Sequence, residues 1–207
     1  MKSIILASIF LTLSCTPYSG KKIVNDVTKL NPIKVRKVLA PQSGTEISKA
    51  IKDTTGAISI GGGRFSMGGQ TATENSLHLD MRKYNKILSF DKKKKQVTVQ
   101  SGIRWRDLQE QIDKDNLSIK IMQTYANFTV GGSLSVNCHG RYIGEGPVIR
   151  SVESIKIILA DGKEVLASRQ EHQDLFFSAI GGYGGIGVIS EVTLNLVDNE
   201  KIRREIA

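Results

Sequence analysis

The chain has 207 residues, enough for one domain with a sizeable core, and its 24% charged and 40% hydrophobic residues exclude a wholly disordered protein. Two cysteines exclude a disulfide scaffold and a four-cysteine zinc site, and the three histidines lack metal-ligand spacing, so we expect no metal. The net charge is +9, but the basic residues are dispersed without interleaved aromatics. This pattern disfavours nucleic acid as a partner and leaves weak attraction to anionic lipid open.

The first fifteen residues have the form of a secretory signal peptide. Lys2 gives a positive start, and an apolar run from Ile4 to Leu13 follows it. The run is shorter than the roughly 20 apolar residues that a membrane-spanning helix needs. A small residue followed by Cys15 resembles a bacterial lipoprotein signal, in which that cysteine is lipidated. The sequence therefore predicts an exported, lipid-anchored protein facing the periplasm or the cell exterior; the alternative is a plain signal peptide with an incidental cysteine.

The remaining chain alternates between predicted strands and helices, and we expect an α+β fold. Polar, aperiodic residues over 16–34 predict a linker, the folded domain is expected over 35–200, and 201–207 form a tail. Alternating or continuous apolar residues predict strands at 35–39, 57–60, 77–81, 97–100, 118–122, 152–159, 163–167 and 188–197. Helical spacing predicts helices at 45–51, 105–112 and 172–180. Lysines 92–95 and the pair Asp161-Gly162 are typical of turns between strands.

Three glycine-rich stretches, at 61–70, 129–133 and 181–187, are predicted to be loops beside these strands. Glycine allows close backbone approach to a ligand, and successive N–H groups can bind an anion such as phosphate; tight turns are the alternative. Gly182-x-Gly184-x-x-Gly187 matches a dinucleotide-binding pattern, but a helix precedes it and a strand follows, which excludes a Rossmann loop.

These stretches occur in a specific order with several other motifs. Leu79-Asp80-Met81, Cys138-His139-Gly140, Ala160-Asp161-Gly162 and Asp174-Leu175-Phe176 lie between them. The ordered set, over about 35–197, resembles the FAD-binding domain of the vanillyl-alcohol oxidase family of PCMH-type flavoenzymes. It is most similar to the sugar and aldonolactone oxidases and the decaprenylphosphoryl-ribose oxidases. The resemblance implies two α+β subdomains with FAD between them, and hydride removal from a C–H beside a hydroxyl of a sugar or aldonolactone.

The resemblance also implies roles for individual residues. The residues around the diphosphate would be Gly61, Gly62, Gly63, Arg64, Phe65, Ser66, Gly68 and Gly69. Thr124, Thr129, Val130, Gly131 and Gly132 would line the diphosphate and flavin side. Asn137, Cys138 and His139 would approach the flavin ring or ribityl chain, and Val188 and Ile189 would hold the adenine or the ring edge. A solvent-facing Arg64 and a His139 held in a tight turn are the alternatives.

The chain departs from this family's pattern in two places. Many relatives carry a histidine that bonds covalently to the flavin, whereas the matching residue here is Phe65, which predicts dissociable FAD; attachment through the sulfur of Cys138 is the alternative. Relatives continue into a substrate domain that covers the flavin, whereas this chain ends at Ala207. We therefore expect the cap and most catalytic side chains to come from elsewhere, such as a partner chain or domain. A non-catalytic FAD-binding module and a basic membrane-surface adaptor without cofactor are the alternatives.

Overall fold

The computed structural model of the chain describes residues 22–142 and 144–200. The signal segment with Cys15 and the tail at 201–207 lie outside the described residues. The strands are β1 (Lys22–Val24), β2 (Ile33–Val35), β3 (Lys37–Leu39), β4 (Ile58–Gly61), β5 (Leu77–Asp80), β6 (Ile87–Asp91), β7 (Gln96–Gln100), β8 (Leu117–Ile119), β9 (Val152–Ile158), β10 (Glu164–Ser168) and β11 (Val188–Asp198). The helices are α1 (Gly44–Lys52), α2 (Trp105–Ile112), α3 (Val130–Ser135) and α4 (Gln173–Ala179).

A small parallel sheet forms the first part of the fold. Strand β5 lies in its middle, between β3 and β4. Helix α1 begins where the Ser43 hydroxyl accepts a hydrogen bond from the Glu46 N–H, which satisfies one of the unpaired donors of the first turn. Ile47 and Ile51 are four residues apart and both are buried in the core of this part. The carboxyl end of β4 leads directly into the first glycine-rich stretch.

A larger antiparallel sheet forms the second part, with strand order β10-β9-β11-β7-β6. Its central strand β11 alternates buried and partly buried residues, and β8 pairs with its far end. Helix α2 buries Trp105, Leu108 and Ile112, the three residues that share one face in the sequence. These side chains belong to the main hydrophobic core with residues from α3 and α4. The α+β class predicted from the sequence is confirmed.

Both predicted turns between strands are confirmed. Residues 92–95 connect β6 to β7, and Gly162 adopts φ +76° where the chain turns from β9 into β10. A positive φ is the conformation that glycine adopts without a steric penalty. The strand predicted at 118–122 is shorter than expected, because β8 ends at Ile119. Within the described ranges, no helix is both long and apolar enough to span a membrane.

The polar residues before the domain are ordered where the structure describes them, which corrects the predicted linker over 22–34. Strands β1 and β2 pair as an antiparallel hairpin, and buried Asp26 accepts hydrogen bonds from the N–H groups of Thr28 and Lys29. The hairpin also bonds to the first glycine-rich stretch, through Val27 N–H to the Arg64 carbonyl at 3.0 Å. The bond from Val27 to Arg64 joins residues far apart in the sequence, so local polarity did not reveal it.

Candidate functional site

All three glycine-rich stretches meet at one cleft between the two sheets. The first contributes Gly61 to Ser66 at the end of β4, the second contributes Thr129, Gly131, Gly132 and Ser133, and the third contributes Tyr183, Gly184 and Gly187. The predicted site residues that line the cleft are Gly61, Gly62, Gly63, Arg64, Phe65, Ser66, Thr129, Gly131, Gly132 and Ile189. Glycine, serine and threonine make up more than half of the lining residues, and glycine lets the backbone approach a ligand closely.

Arg64 is held at the cleft by a cluster of charges. Its backbone is left-handed, with φ +62°, and its Nη2 lies 3.0 Å from Oδ2 of Asp80. Arg82 completes the cluster, because its Nη2 is 2.6 Å from the same oxygen. Burial raises the pKa of Asp80, but hydrogen bonding and charge from Arg82 and the charge of Arg64 outweigh burial and the net pKa is lowered. The carboxylate therefore stays ionised and neutralises part of the arginine pair.

His78 lies directly beneath the first glycine-rich stretch and is fully buried. A β-carbon on Gly61 would come within 2.6 Å of its imidazole, so glycine is required there. Burial, with the nearby Arg64 charge, lowers the pKa of His78 to about 4 although Asp80 acts in the opposite direction. The imidazole is therefore neutral near pH 7.

The second stretch is the start of helix α3, which corrects the prediction of a loop at 129–133. Thr129 caps the helix, its hydroxyl accepting a hydrogen bond from the Gly132 N–H at 3.3 Å. Val130 and Leu134, four residues apart, are buried in the main core. Packing of this face offsets the poor helix propensity of two glycines. The first and second stretches are in contact, because Gly62 abuts the Thr129 side chain.

The third stretch crosses from helix α4 to strand β11. Tyr183 and Gly184 adopt positive φ values of +52° and +77°. A β-carbon on Gly187 would lie 2.5 Å from the Ile158 carbonyl oxygen, so this turn packs tightly against β9. The Tyr183 side chain remains largely exposed at the cleft.

Three aromatic rings form a group beside the cleft. Phe65 packs edge to face against Tyr125 and Phe128, with ring centroids 5.2 and 5.0 Å apart, and the latter two rings also touch each other. Phe65 and Phe128 line the cleft. The group presents an apolar surface where the resemblance places a flavin-linking histidine in relatives.

Several predicted site residues do not line the cleft. Val130 and Val188 are buried in the two cores, and Asn137 Oδ1 accepts a hydrogen bond from the Ile149 N–H. Gly69 faces the β1–β2 hairpin at Asn31. The others outside the cleft lining are Gly68, Thr124, Cys138 and His139.

Cys138 and His139 point in different directions. His139 is exposed and its Nδ1 lies 2.9 Å from the Gly140 carbonyl, which matches the alternative of a tight turn. Cys138 is buried in the main core, and burial raises the pKa of its thiol to about 11. Since a thiolate is the reactive form, this environment disfavours sulfur-linked flavin.

Sequence reasoning missed other residues at the cleft. Ser101 and Gln123 come from the segments after β7 and β8, and Ser101 sits against Gly131. Gln123 accepts a hydrogen bond from Ser133, which in turn accepts one from the indole N–H of Trp105. Neither residue was among the predicted site residues. The remaining unpredicted lining residues are Ile60, Gln70, Thr71, Met81, Phe128, Ser133, Ser135, Val136, Tyr183, Gly184 and Gly187.

The residues of the cleft fit a dinucleotide with a diphosphate. Arg64 supplies a cation, and glycines allow backbone N–H groups to approach phosphate oxygens. Two buried polar atoms of cleft residues, Arg64 Nε and Thr71 Oγ1, have no hydrogen-bond partner among the described residues. Such atoms are uncommon in folded proteins, and an oxygen-rich ligand suits them.

Comparison with known proteins agrees with this geometry. Residues 35–168 match the family described as FAD binding domain. The chain is 34% identical over 138 residues to an L-gulonolactone oxidase of Mus musculus, covering 67% of this chain and 31% of the relative. It is 35% identical over 118 residues to L-galactono-1,4-lactone dehydrogenase 2 of Oryza sativa subsp. japonica, covering 57% of this chain and 20% of the relative. Cytokinin dehydrogenase 2 of Arabidopsis thaliana is 26% identical to the chain over 195 residues, which cover 91% of this chain and 39% of the relative.

The chain belongs to the FAD binding domain family, and its cofactor is FAD. Proteins that match this chain over the same domain include the lactone oxidase and the lactone dehydrogenase named above. The chain spans about a third or less of the length of the lactone-oxidising relatives described above.

Proposed function

We propose that the chain holds FAD in the cleft for oxidation of a sugar-like substrate, an aldonolactone in particular. The main support for this proposal is that three separate glycine-rich stretches converge on one cleft beside Arg64. In this proposal the backbone of 61–63 and the Arg64 guanidinium hold the diphosphate. Thr129, Gly131, Gly132 and Ile189 hold the rest of the cofactor along the cleft, and the aromatic group around Phe65 packs against its apolar edge.

Bound FAD would supply hydride acceptance from a C–H beside a hydroxyl, with dioxygen or another acceptor reoxidising it. The protein positions the cofactor and excludes water from its apolar side. Support for an aldonolactone comes from the names of the relatives, two of which are lactone-oxidising enzymes.

A second candidate is an FAD-binding subunit that needs a partner chain or domain for catalysis. Among the described residues lining the cleft, the ionisable side chains are Arg64 and Tyr183. These lining residues include no histidine and no carboxylate, the side chains that most often act as general bases. This composition favours a base from outside the described cleft residues.

Anaerobic mixing of the FAD-loaded chain with L-gulono-1,4-lactone or L-galactono-1,4-lactone separates the two candidates. We expect loss of the visible flavin absorbance, because hydride transfer reduces the cofactor. The open-chain acid of each lactone is the control. A stably loaded chain that neither lactone bleaches would contradict the proposed activity of this chain and favour the second candidate.

We also propose that FAD is held without a covalent bond. Phe65 stands where relatives carry the linking histidine, and a phenyl ring has no nucleophilic atom. The buried, protonated thiol of Cys138 supports the same conclusion.

Export and lipid anchoring through Cys15 are proposed from the sequence of residues 1–15. In a bacterial host, mass spectrometry of the purified chain should detect acyl groups on Cys15, and Cys15→Ser should move the protein from the membrane fraction to the soluble fraction. An unmodified Cys15 in membrane-free protein would contradict this proposal.

A further inference from the structure

We propose that His78 is a positioning residue for FAD: its neutral imidazole, protonated on Nδ1, orients Arg64 toward the diphosphate. The inference rests on the proposed placement of the diphosphate at the first glycine-rich stretch. His78 itself does not line the cleft, so it acts through Arg64.

A directed series of hydrogen bonds determines which imidazole nitrogen carries the proton. Arg64 Nη2 lies 3.3 Å from His78 Nε2, and a guanidinium can only donate, so Nε2 must accept. His78 Nδ1 then donates to Ser59 Oγ at 3.0 Å. Ser59 donates to Ser76 Oγ at 2.8 Å, and Ser76 donates to the Thr73 carbonyl oxygen at 2.7 Å. The Arg64 guanidinium can only donate and the Thr73 carbonyl can only accept, so both ends of the series require hydrogen bonds donated in the same direction.

The surrounding charges agree with a neutral ring. Arg64 and Arg82 both disfavour a second proton on His78, Asp80 favours it, and burial disfavours it most strongly. Protonation of Nε2 would place a donor against the Arg64 guanidinium and break this hydrogen bond. The histidine therefore accepts one hydrogen bond from Arg64 while Asp80 receives another from the same Nη2.

The two acceptors, on His78 and Asp80, fix the direction of the Arg64 side chain. Arg64 occupies the left-handed region, and Val27 donates to its carbonyl. His78 also packs against Gly61, so the ring contacts the start of the same stretch. An arginine held in one orientation loses less side-chain entropy when it binds phosphate oxygens.

A double-mutant cycle on the full chain tests the role of His78 through Arg64. Affinity for FAD is measured by flavin fluorescence titration in the unsubstituted chain, His78→Leu, Arg64→Leu and the double variant. We expect His78→Leu to weaken binding about tenfold, which is about 1.4 kcal/mol. In the Arg64→Leu background the same change should have little further effect, because the group that it positions is gone.

His78→Gln is the conservative variant, since its amide oxygen can accept from Arg64, and it should restore most of the lost affinity. Circular dichroism checks that each variant is folded. Equal losses from His78→Leu in both backgrounds would show a general structural role and overturn the inference. Absence of FAD binding by the unsubstituted chain would overturn the proposed placement of FAD and this role together.

Nitrogen-15 NMR of the histidine side chains tests the proton placement without FAD or substitution. We expect His78 to carry its proton on Nδ1 and to keep Nε2 unprotonated as the pH falls well below 6.5. A proton on Nε2 at neutral pH would overturn the inference even in a chain that binds FAD, so this failure is distinct from failure of the proposed function.

Discussion

Leucine in place of Gly132 is expected to lower the affinity for FAD by about a hundredfold or more, equivalent to about 2.7 kcal/mol. Gly132 lines the cleft and is exposed in the first turn of α3. A β-carbon there would lie 2.9 Å from Thr129 Oγ1, and the rest of the leucine side chain would occupy cleft space. Titration of the full chain with FAD, followed by flavin fluorescence, measures the effect.

The same substitution should leave the chain folded. Leucine is favoured over glycine inside a helix by about 1 kcal/mol, which offsets the close approach to the Thr129 hydroxyl. Gly144→Asn is a control, because Gly144 has φ +86°, no atom of the described residues lies within 4 Å of its β-carbon position, and asparagine is enriched among residues with positive φ. Unchanged FAD affinity in Gly132→Leu would mean that the cofactor does not pass this surface.

Alanine in place of Trp105 is expected to lower the free energy of unfolding by about 3–5 kcal/mol. The side chain is fully buried in the main core, and its indole N–H donates to Ser133 at 2.9 Å. Ser133 and its partner Gln123 both line the cleft, so the substitution also removes the support of two cleft residues. Chemical denaturation followed by circular dichroism measures the change.

Two variants serve as controls for this prediction. Trp105→Phe keeps most of the apolar volume and removes the N–H, so its cost should be smaller. Phe177→Ala removes an aromatic side chain that is 51% exposed, and we expect a cost below about 1 kcal/mol. A Trp105→Ala cost as small as that of Phe177→Ala would contradict the assignment of Trp105 to the core.

Elements with strong hydrophobic periodicity could be predicted from the sequence. Helix α2 follows from the spacing of its three apolar residues, and the β9–β10 hairpin follows from alternation on both sides of a turn with glycine. In these segments, local preference and core packing favour the same structure, so the pattern alone is informative.

The glycine-rich helix α3 and the β1–β2 hairpin could not be predicted from local preference. Two glycines at 131 and 132 disfavour a helix, and only the Thr129 cap and the packing of Val130 and Leu134 on the core determine it. The hairpin depends on Asp26 and on bonds to residues near 64–67, which lie far along the chain.

The candidate site could be predicted in part. Glycines and the family pattern identified the first and second stretches, and both line the cleft. Ser101, Gln123 and His78 reach the site or its support through strand pairing between distant segments. Cys138, although adjacent to His139 in sequence, points into the core. Neither the place of Ser101, Gln123 and His78 at the site nor the burial of Cys138 has a local sequence signal.

The most direct test of dissociable FAD in this cleft is an absorbance spectrum of the purified chain, folded in the presence of FAD. The sample is passed through a filter that retains the protein, once before and once after denaturation. We expect flavin absorbance to stay with the native chain and to pass into the filtrate once the chain is unfolded. A folded chain that retains no flavin would contradict the cleft assignment. Flavin that remains on the denatured chain would contradict the argument from Phe65 and direct attention to Cys138.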